Sequence, residues 1–194
     1  MTDRTKQTAV PQAGQRRTAA IDMTAVALMT AIMCILAPLS IPIIVSPVPV
    51  TLTNFILYLS LYILKTRKTL VSCLIYLLLG TAGLPVFSGF SGGLAKLAGP
   101  TGGYLVGFLF LVIAAGMTME HSRGKVWIQI LGMILGTAIC YAFGTVWLAV
   151  QMKISLPAGL AIGVLPYLPG DAAKIVLAAL IGPEIAKRVR AGGA

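Results

Sequence analysis

After a polar start, apolar runs long enough to cross a membrane alternate with short cationic stretches along the chain. A spanning helix needs about 20 mostly apolar residues, because each residue rises roughly 1.5 Å through a hydrocarbon core of about 30 Å. Residues 19–37, 69–83, 103–119, 126–152 and 167–185 meet or approach that requirement, and residues 51–64 form a shorter candidate. Only 10% of the 194 residues are charged and 58% are hydrophobic, whereas a soluble domain carries about a quarter charged residues. A water-soluble enzyme or nucleic-acid-binding domain is therefore excluded. The expected fold is an all-α membrane protein of six transmembrane helices with irregular external loops.

The net charge of +10 is explained by where the cations lie. Arg4, Lys6, Arg16 and Arg17 precede the first run; Lys65, Arg67 and Lys68 separate the second and third. Arg123 and Lys125 separate the fourth and fifth, and Lys187, Arg188 and Arg190 follow the sixth. All other cations are Lys96, Lys153 and Lys174. Short cationic loops stay cytoplasmic, so the chain is expected to be a multi-pass protein of the cell membrane with both termini cytoplasmic. Its basic face meets the lipid bilayer and not nucleic acid. Residues 1–18 read as a disordered cytoplasmic tail, 19–189 as the six-helix domain and 190–194 as a second tail. Arg16 and Arg17 do not open a cleavable signal, since the next apolar run is too long and contains Asp22. Cys34, Cys73 and Cys140 lie inside apolar runs, and with His121 as the single histidine the chain offers no zinc or haem ligand set. No cofactor is expected.

Two external segments are too apolar for ordinary loops and too rich in Pro and Gly for helix. In residues 38–53, Pro38, Pro42, Pro47 and Pro49 interrupt an Ile/Val-rich stretch. Such a segment either packs over the mouth of the bundle or dips into the headgroups. Residues 83–103 contain Gly89, Gly92, Gly93, Gly99, Gly102 and Gly103. Irregular backbone at membrane depth is tolerated where it is buried in protein or lines a cavity, which points to a binding cavity with Tyr104 at its edge. Lys96 follows Ala95 and precedes Leu97, so no phosphate-binding loop is formed. Gly89-Phe90-Ser91-Gly92 matches the Gly-x-Ser-Gly of rhomboid-type intramembrane proteases. A nucleophilic Ser91 needs a base within hydrogen-bond reach, and His121 is expected across the membrane.

The string Tyr167-Leu-Pro-Gly-Asp-Ala-Ala-Lys174 opens the last run. Ionisable groups within a membrane segment cost roughly 2.5–3.5 kcal/mol each on insertion scales, so they face the protein interior and serve a purpose. Asp171 and Lys174 are three apart and share a helical face. Asp171 suits an N-cap that Lys174 neutralises; equally, the two present an acceptor and a donor to a small solute with N–H groups and an anionic or carbonyl end. Gly132, Gly136, Cys140 and Gly144 recur every four residues, a stripe suited to close helix packing. Ala27 and Ala31 repeat that spacing on the first run.

Four strings, Ser46-Pro-Val-Pro-Val-Thr51, Gly83-Leu-Pro-Val-Phe87, Gly99-Pro-Thr-Gly-Gly-Tyr104 and Pro169-Gly-Asp-Ala-Ala-Lys174, resemble in order and spacing the BioY family. That family is the biotin-specific membrane component, or S component, of energy-coupling factor (ECF) transporters. The resemblance covers nearly the whole chain after the tail and implies a six-helix vitamin-capturing component with an outward-facing site. It implies that Asp171 and Lys174 bind biotin and that the glycine-rich loop lines the pocket at Ser91, Gly92, Gly93 and Tyr104. Asn54 is a further candidate. It also implies that Ala27 and Ala31 contact a transmembrane coupling subunit, with ATP hydrolysed by separate ATPase subunits. Lys96 departs from the pattern. The alternatives are an S component for another small vitamin and a membrane-embedded serine hydrolase using Ser91.

Overall fold

A computed structural model describes residues 13–44 and 46–192 of the chain. It is mostly helical. Helix α1, Ala13–Leu36, begins inside the stretch expected to be a tail; residues 1–12 lie outside the described residues. The proline-rich segment that follows is a hairpin, β1 Ser40–Ile43 antiparallel to β2 Ser46–Thr51, with Ser40 opposite Thr51 and Ile41 opposite Val50. The expectation of an irregular loop is corrected here. Proline excludes helix, but an isolated two-stranded hairpin has two free edges where a missing N–H costs nothing. The β-branched Ile and Val between the prolines favour extended backbone. The pairing shifts register between Ile41 and Ile43, the place where Pro42 sits.

Helix α2, Thr53–Thr81, consists of two helical segments that meet at a kink, and it covers the second and third expected spans and the connection between them. Its single interruption is Lys65, at φ 63° and ψ 175°. The new helical start behind that break is capped from a distant element: one carboxylate oxygen of Glu120 accepts from Thr66 N at 3.0 Å and Thr66 Oγ1 at 2.8 Å. After a glycine-rich connection come a short helix α3, Leu94–Ala98, then α4, Gly102–His121, and α5, Val126–Met152. Helix α6, Leu156–Gly163, and α7, Leu168–Gly192, meet at a bend of 53°. Helix α7 runs past residue 189, where a tail was expected to begin. Among the described residues, α4 and α5 are long and apolar enough to cross a membrane, and the bent pair α6–α7 makes a third candidate.

The centre of the bundle is held by close packing of α4 on α5. A side chain at Gly144 would collide with the ring of Tyr104, one at Gly136 with the carbonyl of Leu111, and one at Gly132 with Thr118. Cys140 fills the hollow at Gly107. The four-residue stripe read from the sequence is thus an internal packing face. Helix α7 packs on α2 by the same means, with Gly182 against the ring of Tyr62. Polar links inside the core are local: Thr30 on α1 meets Ser72 on α2 at 2.9 Å, and Tyr58 on α2 meets Thr137 on α5 at 2.5 Å. These contacts bring the start of α7, the end of β2 and the middle of α5 to one place.

Candidate ligand-binding site

Helix α7 starts at Leu168, so Asp171 stands within its first turn and not at the cap. Its amide already bonds Tyr167 O at 2.8 Å. The carboxylate is therefore free of capping duty and points sideways. Its Oδ1 accepts from Lys174 Nζ at 2.8 Å, and its Oδ2 accepts from the hydroxyl of Tyr141 on α5. Both ionic side chains are 12% exposed. Lys174 also donates to the carbonyl of Thr51 at 2.6 Å and to Oδ1 of Asn54 at 3.1 Å. An ammonium has three donors, and each has an acceptor here. Three elements, the last residue of β2, the first turn of α2 and the first turn of α7, converge on one nitrogen.

Asp171, Lys174, Asn54 and Tyr104 border one cavity of about 60 Å³. Its other walls include β2 and Tyr167. The ring of Tyr104 forms wall, but its hydroxyl is spent: it donates to Gly163 O at 3.0 Å and lies 3.3 Å from Thr145 Oγ1, fastening α6 to α4 and α5. Tyr167, in the link between α6 and α7, donates its hydroxyl to the carbonyl of Val48, and the same oxygen lies 2.7 Å from Ser46 Oγ. It fastens the hairpin across the cavity. A second cavity of about 50 Å³ lies on the other side of the same wall and shares Val48, Pro49, Thr51, Tyr104 and Phe108 with the first. Pockets for drug-sized ligands enclose roughly 300–1,000 Å³. Each of the two spaces alone is far smaller than that.

Chemically, the site offers a carboxylate acceptor beside an ammonium and an amide, in an enclosure of tyrosine rings and proline. That combination matches a neutral head group carrying both N–H donors and a carbonyl acceptor. The low dielectric of the enclosure strengthens each such hydrogen bond.

The sequence model of the BioY family matches residues 6–191. The chain belongs to the BioY family. It is similar to the biotin transporter BioY of Thermotoga maritima, 36% identical over 160 residues, which cover 82% of this chain and 92% of that protein. It is likewise similar to biotin transporter BioY2 of Lactococcus lactis subsp. cremoris, 35% identical over 160 residues covering 82% and 87%. The BioY of Rhizobium etli is 36% identical over 175 residues, covering 84% and 92%. Among solved structures, the crystal structure of the S-component for biotin from an ECF-type ABC transporter matches with a TM-score of 0.82 and 29% identity. The match covers 92% of this chain and 95% of that one.

In this BioY chain the glycine-rich loop departs from expectation. Ser91, Gly92 and Gly93 border neither cavity. Ser91 pairs with Phe87 through the backbone and donates its hydroxyl to Ser88 O at 2.7 Å. Gly92 lets the carbonyl of Leu84 approach closely, and Gly93 N bonds Gly80 O at 2.7 Å. The loop is thus folded onto the end of α2, and it reaches the second cavity through Ser88 and Thr101 instead. The serine-hydrolase alternative also lacks its base. His121 ends the 20-residue α4, roughly 30 Å from the glycines at its start, and its Nδ1 meets Met117 O at 2.8 Å. Tyr141, Thr137 and Tyr167 were missed by sequence reading. Thr137, Tyr141 and Thr145, spaced four apart in the mostly apolar α5, carried the available signal, a short polar stripe.

Ala27 and Ala31 border neither cavity of this site. Both are exposed on α1 and border a groove between α1 and the second half of α2.

Proposed function

We propose that this BioY chain is the substrate-binding membrane component of a biotin uptake transporter. Biotin enters between the hairpin and α7. Asp171 accepts an N–H of the ureido ring, while Lys174, with Asn54, donates to its oxygen. Tyr141 steadies the carboxylate, and Tyr104, Tyr167 and β2 enclose the ring system. The observation that carries this reading is the Asp171–Lys174 couple, nearly enclosed and facing a cavity. Its desolvation is expensive, and a ligand that uses both charges explains its retention.

The reading includes six membrane crossings, with α2 counted as two across its break at Lys65, and both termini cytoplasmic. It assigns no chemistry to the chain itself. Energy comes from separate ATPase subunits acting through a transmembrane coupling subunit that docks on Ala27 and Ala31. Support for these partners comes from the structural likeness to an S-component of an ECF-type transporter.

Equilibrium binding of tritiated biotin to the purified full chain, competed by unlabelled vitamins, tests the proposal. Retention of biotin that falls sharply in Asp171→Asn is expected. Equal competition by unrelated vitamins, or full retention by that variant, overturns it.

A further inference from the structure

A groove away from the biotin site, between α1 and the second half of α2, encloses about 850 Å³. Its long walls are apolar, with Ala27 and Ala31 on one side and Val71 and Ile75 on the other. The hydroxyl of Thr30, also in the wall, is already bonded to Val26 O at 2.9 Å and to Ser72 Oγ at 2.9 Å. Charge is confined to one end. There Asp22 and Lys68 neutralise each other at 2.5 Å, while Arg67 is exposed and makes no ion pair with any described residue. The groove is thus an apolar trench with one uncompensated guanidinium at its mouth.

The trench is long enough for an extended acyl chain. From Asp22 to Cys34 along α1, and from Arg67 to Leu79 along α2, it rises roughly 18 Å, and it continues to Leu84 and Val86 beyond the end of α2. We infer that this groove holds an acyl chain of an anionic glycerophospholipid whose phosphate is gripped by Arg67. A guanidinium binds phosphate through paired hydrogen bonds, and the trench leaves no other polar group wanting a partner. The inference rests on the chain residing in a bilayer and not on the identity of its transported ligand. A docking helix reaches the same Ala27–Ala31 face, so lipid and partner subunit exclude one another, and the lipid is the occupant of the chain on its own.

Native mass spectrometry of the full chain in detergent, titrated with phosphatidylglycerol or phosphatidylcholine of identical acyl chains, tests this. Phosphatidylglycerol is expected to be retained roughly fivefold more than phosphatidylcholine, the increment of one cation near an anionic headgroup. Arg67→Ala removes the preference. Val71→Trp, which fills the trench from an exposed position, removes retention of both lipids; Ile75→Trp repeats that test from a second position. A thermal unfolding midpoint within a few degrees of the parent chain certifies each variant as folded. Equal retention of the two lipids by the parent chain, a preference that survives Arg67→Ala, or undiminished retention in both tryptophan variants overturns the inference.

Discussion

Lys174 on α7 and Thr51 at the end of β2 are joined by an ammonium-to-carbonyl hydrogen bond of 2.6 Å. The same ammonium holds Asp171 and Asn54. A ligand oxygen that enters its shell must displace one of these three acceptors, and Thr51 is the one on the hairpin. Filling the site and moving the hairpin are therefore linked through a single nitrogen.

Removing one charge is expected to differ from removing both. Lys174→Met leaves Asp171 enclosed without its cation and costs about 3–5 kcal/mol of stability. The double variant Asp171→Asn with Lys174→Met recovers most of that loss, yet neither variant retains biotin. Thermal unfolding in detergent gives the first quantity and equilibrium dialysis with tritiated biotin the second. A double variant as unstable as the single would mean that the pair does not act through its charges.

Two of the three cavity tyrosines should separate binding from scaffolding. Tyr141→Phe removes a donor to the Asp171 carboxylate, a bond to a charged group of about 1.5–3 kcal/mol, so biotin binding weakens roughly tenfold or more. Tyr104→Phe releases Gly163 and Thr145 instead. It lowers stability by about 1 kcal/mol with binding changed less than about threefold. Reversal of that order in a binding isotherm would reassign the two hydroxyls.

Ser91→Ala is expected to leave biotin binding within about twofold of the parent chain, since its hydroxyl bonds the turn at Ser88 and borders neither cavity. A larger loss, measured by the same isotherm, would bring the loop into the site.

Gly144→Leu should be among the most damaging single changes. The new side chain meets the Tyr104 ring, whose own position is fixed by Gly163, so overpacking costs about 1–3 kcal/mol or more. A thermal transition unchanged within a degree would show that α4 and α5 can part without penalty.

The sequence made α4, α5 and the start of α7 legible because apolar length and an embedded charge pair are local signals. The stripe from Gly132 to Gly144 was equally plain. The hairpin was not: Pro42, Pro47 and Pro49 exclude helix, but only the pairing of Ile41 with Val50 reveals that a strand pair results. Lys65, Arg67 and Lys68 read as a loop, whereas a cap supplied by Glu120, 54 positions away, reduces the interruption to one residue. The glycine loop was overread, because freedom of backbone approach says nothing of which surface is approached. Tyr141 and Tyr167 look like ordinary core aromatics until α5, α7 and β2 are brought together.

The elbow at Lys65 is short and held. Two rods meet there at a single residue, and one of them is tied by a carboxylate on a third. Compliance is left to the opposite rim, where a short ribbon hangs on a few side-chain latches. The vessel has a stiff floor and a yielding brim.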